Sequence, residues 1–157
     1  MSKVYSLQKV QVLPGKIEDA WAFFSSPQYL KTITPLHLGF RVLSSQHTGT
    51  MYPGQLIEYT VKPFLGIPLY WMTEITQVKP MQYFIDEQRF GPYAFWHHQH
   101  HFREVSGGVE MTDIVHYKIP FWFLGDIANF LFVKSQLKKI FDYRKEVTDK
   151  LFGQSGT

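Results

Sequence analysis

Four histidines and one glutamine occupy five consecutive positions, residues 97–101, and aromatic residues stand on both sides of this run. Alternate side chains of a β-strand face opposite sides of the sheet, so Trp96, His98, His100 and Phe102 would share one face. Imidazole donates, accepts and titrates near neutral pH, and an apolar face that carries two of them is typical of a binding pocket. The run therefore predicts a polar site within an apolar wall.

The turn that follows this strand puts an acid beside the imidazoles. If residues 106–107 form a two-residue hairpin loop, antiparallel pairing places His100 opposite Asp113 and Trp96 opposite Tyr117. The opposite face of the hairpin is more polar and is predicted to meet solvent. A slip of one residue would exchange the two faces, so this assignment depends on the turn.

Two further polar residues extend the candidate cluster of His98, His100 and Asp113. Asp86 and Gln88 share one face of the preceding predicted strand. A carboxylate beside His100 would raise the pKa of its imidazole, while burial would lower it. Three roles stay open: a structural hydrogen-bond network, a patch that orients a ligand, and acid–base catalysis. No residue is assigned as catalytic.

Metal and cofactor chemistry have weaker support in the sequence. His98 and His100, two residues apart on a strand, can reach one ion with Asp113 as a third ligand. However, the chain has no cysteine and no His-Glu-x-x-His spacing, and it lacks both Gly-x-Ser-x-Gly and a glycine-rich phosphate loop. The expectation is a site with no metal and no cofactor.

The elements that must position these residues follow from hydrophobic period and turn residues. Alternation predicts a first strand at residues 4–13, and a helical period predicts helices at 17–24 and between 26 and 35. Short links then predict six antiparallel strands, at residues 40–45, 55–62, 69–78, 82–90, 94–105 and 109–119. A helical period predicts a long helix at residues 125–151. Arg144 interrupts the apolar stripe of the long helix, and with Lys62 it is a candidate cation in the interior.

Composition fits one domain with a thick apolar interior. Of the 157 residues, 45% are hydrophobic and 17% aromatic, enough to pack a core or to line a cavity. We expect one domain at residues 1–152 and a frayed tail at 153–157. The net charge of +3 is too small to indicate nucleic acid binding. We expect no transmembrane segment, and the lack of cysteine and of an apolar leader segment favours a cytoplasmic protein.

The order of elements resembles the helix-grip fold of the SRPBCC and START-like superfamily, and small bacterial domains of the polyketide cyclase/dehydrase-like kind in particular. The segments that carry this resemblance are 30–35 (LKTITP), 84–88 (FIDEQ) with 91–92, 96–102 (WHHQHHF), 112–113 with 117 and 120, and 141–144 (FDYR). The resemblance implies an α+β fold in which a curved antiparallel sheet of about seven strands wraps around the long C-terminal helix. It also implies a cavity between the sheet and that helix.

We expect this cavity to bind a small hydrophobic molecule such as a lipid, an isoprenoid or a polyketide-like compound. Aromatic walls would supply affinity and polar groups would set orientation. The candidate ligand-binding residues are His98, His100, Asp113, Asp86, Gln88, Trp96, Tyr117, Arg144 and Phe102. One alternative is a polyketide cyclase or aromatase that uses the same His and Asp residues, and another is a non-catalytic protein–protein interaction module.

The resemblance implies that an aromatic run at residues 120–124, which lysines 134, 138 and 139 follow, borders the mouth of the cavity. It would act as a hydrophobic lid or a peripheral membrane contact, or else pack in the core and form a dimer contact. The chain is accordingly expected to be a monomer or a homodimer.

Overall fold

A seven-stranded antiparallel sheet forms the body of the molecule. The structure, a computed structural model, describes residues 3–44, 49–120, 127 and 129–153. The strands are β1 (Tyr5–Leu13), β2 (Arg41–Val42), β3 (Leu56–Phe64), β4 (Ile67–Lys79), β5 (Tyr83–Phe90), β6 (Phe95–Val105) and β7 (Gly108–Lys118). In the sheet they lie in the order β1-β7-β6-β5-β4-β3-β2.

Among the residues that the structure describes, helical segments stand at two places in the chain. Helix α1 (Ile17–Phe24) follows β1, and two 3₁₀ turns, Pro27–Tyr29 and Leu36–Leu38, lead to β2. After β7, a π-helical turn (Asn129–Val133) runs into the long helix α2 (Lys134–Gly153). The predicted α+β fold class is confirmed: this is a helix-grip arrangement of an open antiparallel sheet and a long C-terminal helix.

The predicted register of the last hairpin is confirmed. His100 pairs with Asp113 and Trp96 pairs with Tyr117 across β6 and β7. The face predicted to point inward does so, because every second residue of β7 from Val109 to Tyr117 is buried. Residues 106–107 therefore form the two-residue loop that fixes which side chains face the interior.

Local boundaries differ from the predicted ones in three places. Within residues 40–44, the described part of the strand predicted at 40–45, Arg41–Val42 alone form a strand, which pairs with β3 at the edge of the sheet. The short helix predicted between 26 and 35 is a 3₁₀ turn, and a second turn forms beyond Pro35. Within the long helix predicted at 125–151, the regular α-helix begins at Lys134 after a π-helical turn, and Ile127 and Leu131 before it are more than half exposed. The aromatic run at 120–124 is described only as far as residue 120, and most of the predicted tail (154–157) also lies outside the described residues.

The interior is filled from both ends of the sheet. At one end, α1 packs Trp21 and Phe24 against Phe84 and Phe102. At the other end, α2 buries one face, including Leu137 and Phe141, against β7. In the part of the chain that the structure describes, none of the helices has the length and apolar character needed to cross a membrane.

Candidate functional site

Three neighbouring strands bring two imidazoles and two carboxylates onto one face of the sheet. Asp86 of β5 pairs with His98 of β6, and His100 of β6 pairs with Asp113 of β7. His98, His100 and Asp113 are buried, and the side chain of Asp86 is 14% exposed. The strand register thus brings together four of the residues that the sequence singled out.

The shortest contacts in this cluster run diagonally between strands. His98 Nε2 lies 2.9 Å from Asp113 Oδ1, and His100 Nε2 lies 2.7 Å from Asp86 Oδ2. The directly opposed pairs are also close, at 3.0 Å from His100 Nδ1 to Asp113 Oδ1 and 3.6 Å from His98 Nδ1 to Asp86 Oδ2. Each carboxylate therefore meets both imidazoles, whose ring centroids are 3.7 Å apart.

Arg144 reaches the same cluster from α2. Its Nη2 lies 3.6 Å from Asp113 Oδ1 and 3.5 Å from His100 Nδ1. The guanidinium carbon also stands 5.2 Å and 5.9 Å from the ring centroids of Phe24 and Phe141, a placement that stabilises a cation. Because His100 Nδ1 is closer to Asp113 than to Arg144, we assign a proton to Nδ1 and pair Arg144 with Asp113.

Both carboxylates are held in the ionised form. Burial by itself would raise the pKa of Asp113, but the charge of Arg144 and the hydrogen bonds from His100 and His98 hold that pKa well below its usual range. Burial likewise opposes ionisation of Asp86, and the two neighbouring imidazoles still lower its pKa. The cluster therefore holds two negative charges at neutral pH.

The two imidazoles shift in opposite directions. Burial, and then repulsion from His100, lowers the pKa of His98 below its ordinary value of 6.5. Burial also penalises the charged form of His100, but hydrogen bonds to Asp113 and Asp86 outweigh it and raise the pKa of this imidazole. Each ring nitrogen of His100 lies within 3.0 Å of a carboxylate oxygen, an arrangement that suits the doubly protonated, charged imidazole, whereas His98 Nδ1 lies 3.6 Å from Asp86 Oδ2, beyond hydrogen-bond distance. With His100 charged and His98 neutral, His100 and Arg144 together balance the two carboxylates.

A cavity of about 320 Å³ lies beside the cluster, between the sheet and α2. Its walls are mainly apolar and come from β3 to β6, from α2 and from the segment between α1 and β2. Four charged or polar members of the cluster also line it, namely Asp86, His98, His100 and Arg144, whereas Asp113 is not part of the wall. The cavity thus has an apolar body and one polar, ionisable region.

The remaining predicted site residues lie in three different surroundings. Trp96 lines the cavity. Phe102 and Tyr117 are buried in the core, where Phe102 packs beneath α1 and Tyr117 stacks on Tyr5 at 5.6 Å. Gln88 does not join the cluster, because its amide group exchanges hydrogen bonds of 2.7 and 3.2 Å with the backbone of Tyr93.

Sequence reasoning overlooked part of the cavity wall. Tyr59 and Trp71 line it, and the Tyr59 hydroxyl lies 3.0 Å from Thr73 Oγ1. Burial raises the pKa of Tyr59, so this phenol remains protonated at neutral pH. The alternation of Ile57, Tyr59 and Val61 along β3 was the available signal. Lys62, predicted as an interior cation, is instead exposed, and its stem lies so near Gly39 that a Cβ added there would stand 3.1 Å from Lys62 Cδ.

One group of donor atoms has the spacing of a metal site. Ligand atoms of Asp86, His98 and His100 all lie within 4.8 Å of one another, so Asp86 replaces the Asp113 of the sequence-based set. A divalent ion there would have to displace the proton of His100 and would stand near the Arg144 cation. The charge balance of the cluster supports the prediction that no metal binds.

Comparisons with known proteins agree on the fold. The sequence matches no protein-family model and none of the curated proteins. Among solved structures, a protein of Thermus thermophilus is similar over 98% of this chain and all of its own, with a TM-score of 0.72 and 10% identity. A protein of Chromobacterium violaceum (TM-score 0.70, 14% identity) matches over 94% of this chain and 96% of its own. The major latex-like protein 151 of Panax ginseng (TM-score 0.68, 9% identity) matches over 95% and 97%. At these identities the likeness shows the fold alone.

Proposed function

We propose that this chain binds a small, largely hydrophobic molecule, such as a lipid, an isoprenoid or a polyketide-like compound, between the sheet and α2. The observation that carries the proposal is a mainly apolar cavity with one cluster of buried, mutually paired ionisable groups in its wall. Apolar walls supply affinity and a few fixed polar groups set orientation, which is how small-molecule sites are generally built. Membership of the SRPBCC superfamily and a cytoplasmic location belong to the same proposal.

Filling the cavity tests this function. Ile140 lines the cavity from α2, so Ile140→Phe adds bulk inside it. Ile114 is also partly buried but lies on the opposite face of the sheet, so Ile114→Phe is a matched control. Binding of the neutral probe N-phenyl-1-naphthylamine, followed by its fluorescence, should be saturable in the wild type, about tenfold weaker or more in Ile140→Phe and unchanged in Ile114→Phe. Equal binding by all three proteins, or no binding to the wild type, would overturn the proposal.

A second candidate is an enzyme of the polyketide cyclase or aromatase kind. It is supported by His98, a neutral imidazole hydrogen-bonded to a carboxylate and lying in the cavity wall. Such a group can accept a proton from a carbon next to a carbonyl, as an aldol cyclisation requires. The test is turnover of a linear poly-β-ketone thioester. Faster cyclisation than in buffer, lost in His98→Gln, would favour catalysis, and a rate equal to buffer would exclude it for that substrate.

Surface contact through the start of the C-terminal helical region is a third candidate. Ile127, Leu131 and Phe132 are more than half exposed there, and Lys134 and Lys138 follow them. Sedimentation with anionic phospholipid vesicles tests a membrane contact, and the mass in analytical ultracentrifugation tests a homodimer. If the Leu131→Glu variant still binds vesicles, the membrane contact does not come from this surface. If it still dimerises, the dimer contact does not come from this surface.

A further inference from the structure

The polar region of the cavity wall offers a ligand more positive than negative partners. Two of its groups are cationic, Arg144 and His100, and one is a carboxylate, Asp86, whose Oδ2 already accepts from His100 at 2.7 Å. The second carboxylate, Asp113, lies outside the wall and is engaged by His98, His100 and Arg144. A ligand in the cavity would therefore contact the two cations directly. Of the two carboxylates that compensate them, Asp113 lies behind the cations and outside the wall.

Arg144 has donor capacity that the cluster does not use. Contacts of the guanidinium group with Asp113 and His100 are both made by Nη2. Among the described residues, neither Nη1 nor Nε has a hydrogen-bond partner, and Nε is buried. A planar guanidinium with a free terminal nitrogen is suited to a carboxylate, which can accept from more than one of its N–H groups.

We propose, on the basis of the hydrophobic-ligand function above, that the natural ligand is a hydrophobic carboxylic acid bound through Arg144 and His98, and that each molecule bound draws one proton from solvent into the site. The ligand's apolar part lies along the aromatic and aliphatic walls. An amine is disfavoured because it would place a third cation beside Arg144 and His100. An alcohol adds no charge and therefore gains nothing from the guanidinium beyond a neutral hydrogen bond.

The proton follows from charge balance. The empty cluster is neutral, so a carboxylate that enters it leaves one uncompensated negative charge in a water-poor site, which is costly. His98 is the neutral imidazole of the cluster, and the charged groups that face it are Asp86 on β5, His100 on β6, Asp113 on β7 and Arg144 on α2. A solvent proton added at His98 Nδ1, which lies 3.6 Å from Asp86 Oδ2, restores neutrality without any other change in bonding.

Titration calorimetry with three matched probes tests this inference on the wild-type protein. Decanoate, decanol and decylamine share one apolar chain and differ only in the polar end. Near pH 7.5, where decanoate in water is ionised, it should bind about tenfold or more tighter than decanol, and decylamine should bind more weakly than either. Heats measured in phosphate and in Tris, which differ in ionisation enthalpy, should give close to one proton taken up per decanoate and none per decanol.

Variants assign the effect to the named residues. Arg144→Met keeps an unbranched apolar side chain but removes the charge, and should reduce decanoate binding to the level of decanol. Arg103→Met is the matched control, because Arg103 is exposed and pairs with Glu110 on the outer face. His98→Gln should abolish the proton uptake.

The outcomes separate this inference from the proposed function. Decanol bound as tightly as decanoate, or decanoate bound without proton uptake, overturns the carboxylate inference and leaves a hydrophobic binding site standing. Failure of all three probes to bind overturns both. The probe comparison needs no substitution, so a variant that fails to fold does not remove the test.

Discussion

Asp113 is the residue on which the buried cluster depends most. Its Oδ1 lies within 3.0 Å of both imidazoles and 3.6 Å from Arg144. The cost of burying this carboxylate is offset because neighbouring cations compensate its charge. The carboxylate in turn compensates the charge of those cations. Loss of the acid therefore leaves buried positive charge without compensation.

The substitution Asp113→Asn measures this dependence, because asparagine keeps the shape of the side chain and removes its charge. We expect it to lower the free energy of unfolding by about 3–5 kcal/mol, the usual loss when one partner of a buried ion pair is removed. Asp142→Asn is the control, since Asp142 is an exposed aspartate paired with Lys9 and Lys138. Equal losses in the two variants, measured by urea unfolding near neutral pH, would show that the cluster does not depend on Asp113.

The two imidazoles should be separable by titration. Imidazole NMR signals should give His98 a pKa below 6.5 and His100 a pKa above it. His100 then contributes stability that is complete below pH 6.5 and is lost as pH rises through its folded pKa. His98 contributes stability that is present above pH 6.5 and is lost as pH falls through its folded pKa.

Stability of the variants checks these signs. The difference in unfolding free energy between wild type and His100→Gln should shrink as pH rises above 6.5, and the difference for His98→Gln should shrink as pH falls below 6.5. Two independent and ordinary pKa values near 6.5 would remove the case for a coupled site.

At the scale of elements, the β6–β7 hairpin positions the site. Its turn glycines differ in surroundings. A Cβ on Gly107, at φ +92°, would meet no atom within 4 Å, whereas a Cβ on Gly108, at φ +145°, would stand 2.0 Å from the backbone oxygen of Leu13. Gly108 therefore allows β1 to approach β7 at the turn.

Alanine at each turn glycine separates strain from collision. Gly107→Ala should cost about 1–3 kcal/mol of unfolding free energy through its left-handed conformation alone. Gly108→Ala should cost more, because the end of β1 must also move away from the turn. If the two losses measured by urea unfolding were equal, the close approach of β1 would add nothing to the destabilisation caused by Gly108→Ala.

Helix α1 decides which aromatic residues are core and which line the cavity. Phe102 shares a strand face with His98 and His100, but it lies at the end of β6 that α1 covers, with Trp21 at 5.4 Å between ring centroids. Phe102→Ala should lower the free energy of unfolding by about 3–5 kcal/mol, as removal of a buried ring does. Phe95→Ala, on the same strand but 43% exposed, should lose less than about 1 kcal/mol. A loss below about 1 kcal/mol for Phe102 as well would place that ring outside the core.

The sequence predicted those features of the site that follow from strand register. A two-residue turn and the alternation of β6 and β7 were enough to set His100 opposite Asp113, because side-chain period in a strand is fixed. Strand register does not predict the diagonal contact of His98 with Asp113, because that contact depends on the rotamer of each imidazole ring. Gln88 was misplaced for a different reason. The β5–β6 pairing ends at Glu87 and His97, so the Gln88 amide is drawn to the unpaired backbone of Tyr93.

In the whole molecule, the long helix packs over the sheet at two places and leaves a space between helix and sheet. One core lies under α1, where Phe152 of α2 also packs, and the other lies under Leu137 and Phe141 of α2. Near the start of α2, Gln136 Nε2 donates to the backbone oxygen of Pro63 in β3 at 2.6 Å, which ties the helix to the far side of the sheet. The long helix is thus held on both sides of the cavity, as a container for a small molecule requires.

Native mass spectrometry of the protein purified gently from its host shows whether the cavity holds a ligand. We expect the wild-type chain to carry, or to take up from a lipid extract of that host, one hydrophobic molecule that is released on denaturation, and Ile140→Phe to carry much less of it. If the wild-type chain shows only its own mass, both as purified and after exposure to the extract, the cavity is not a binding site for a small hydrophobic molecule.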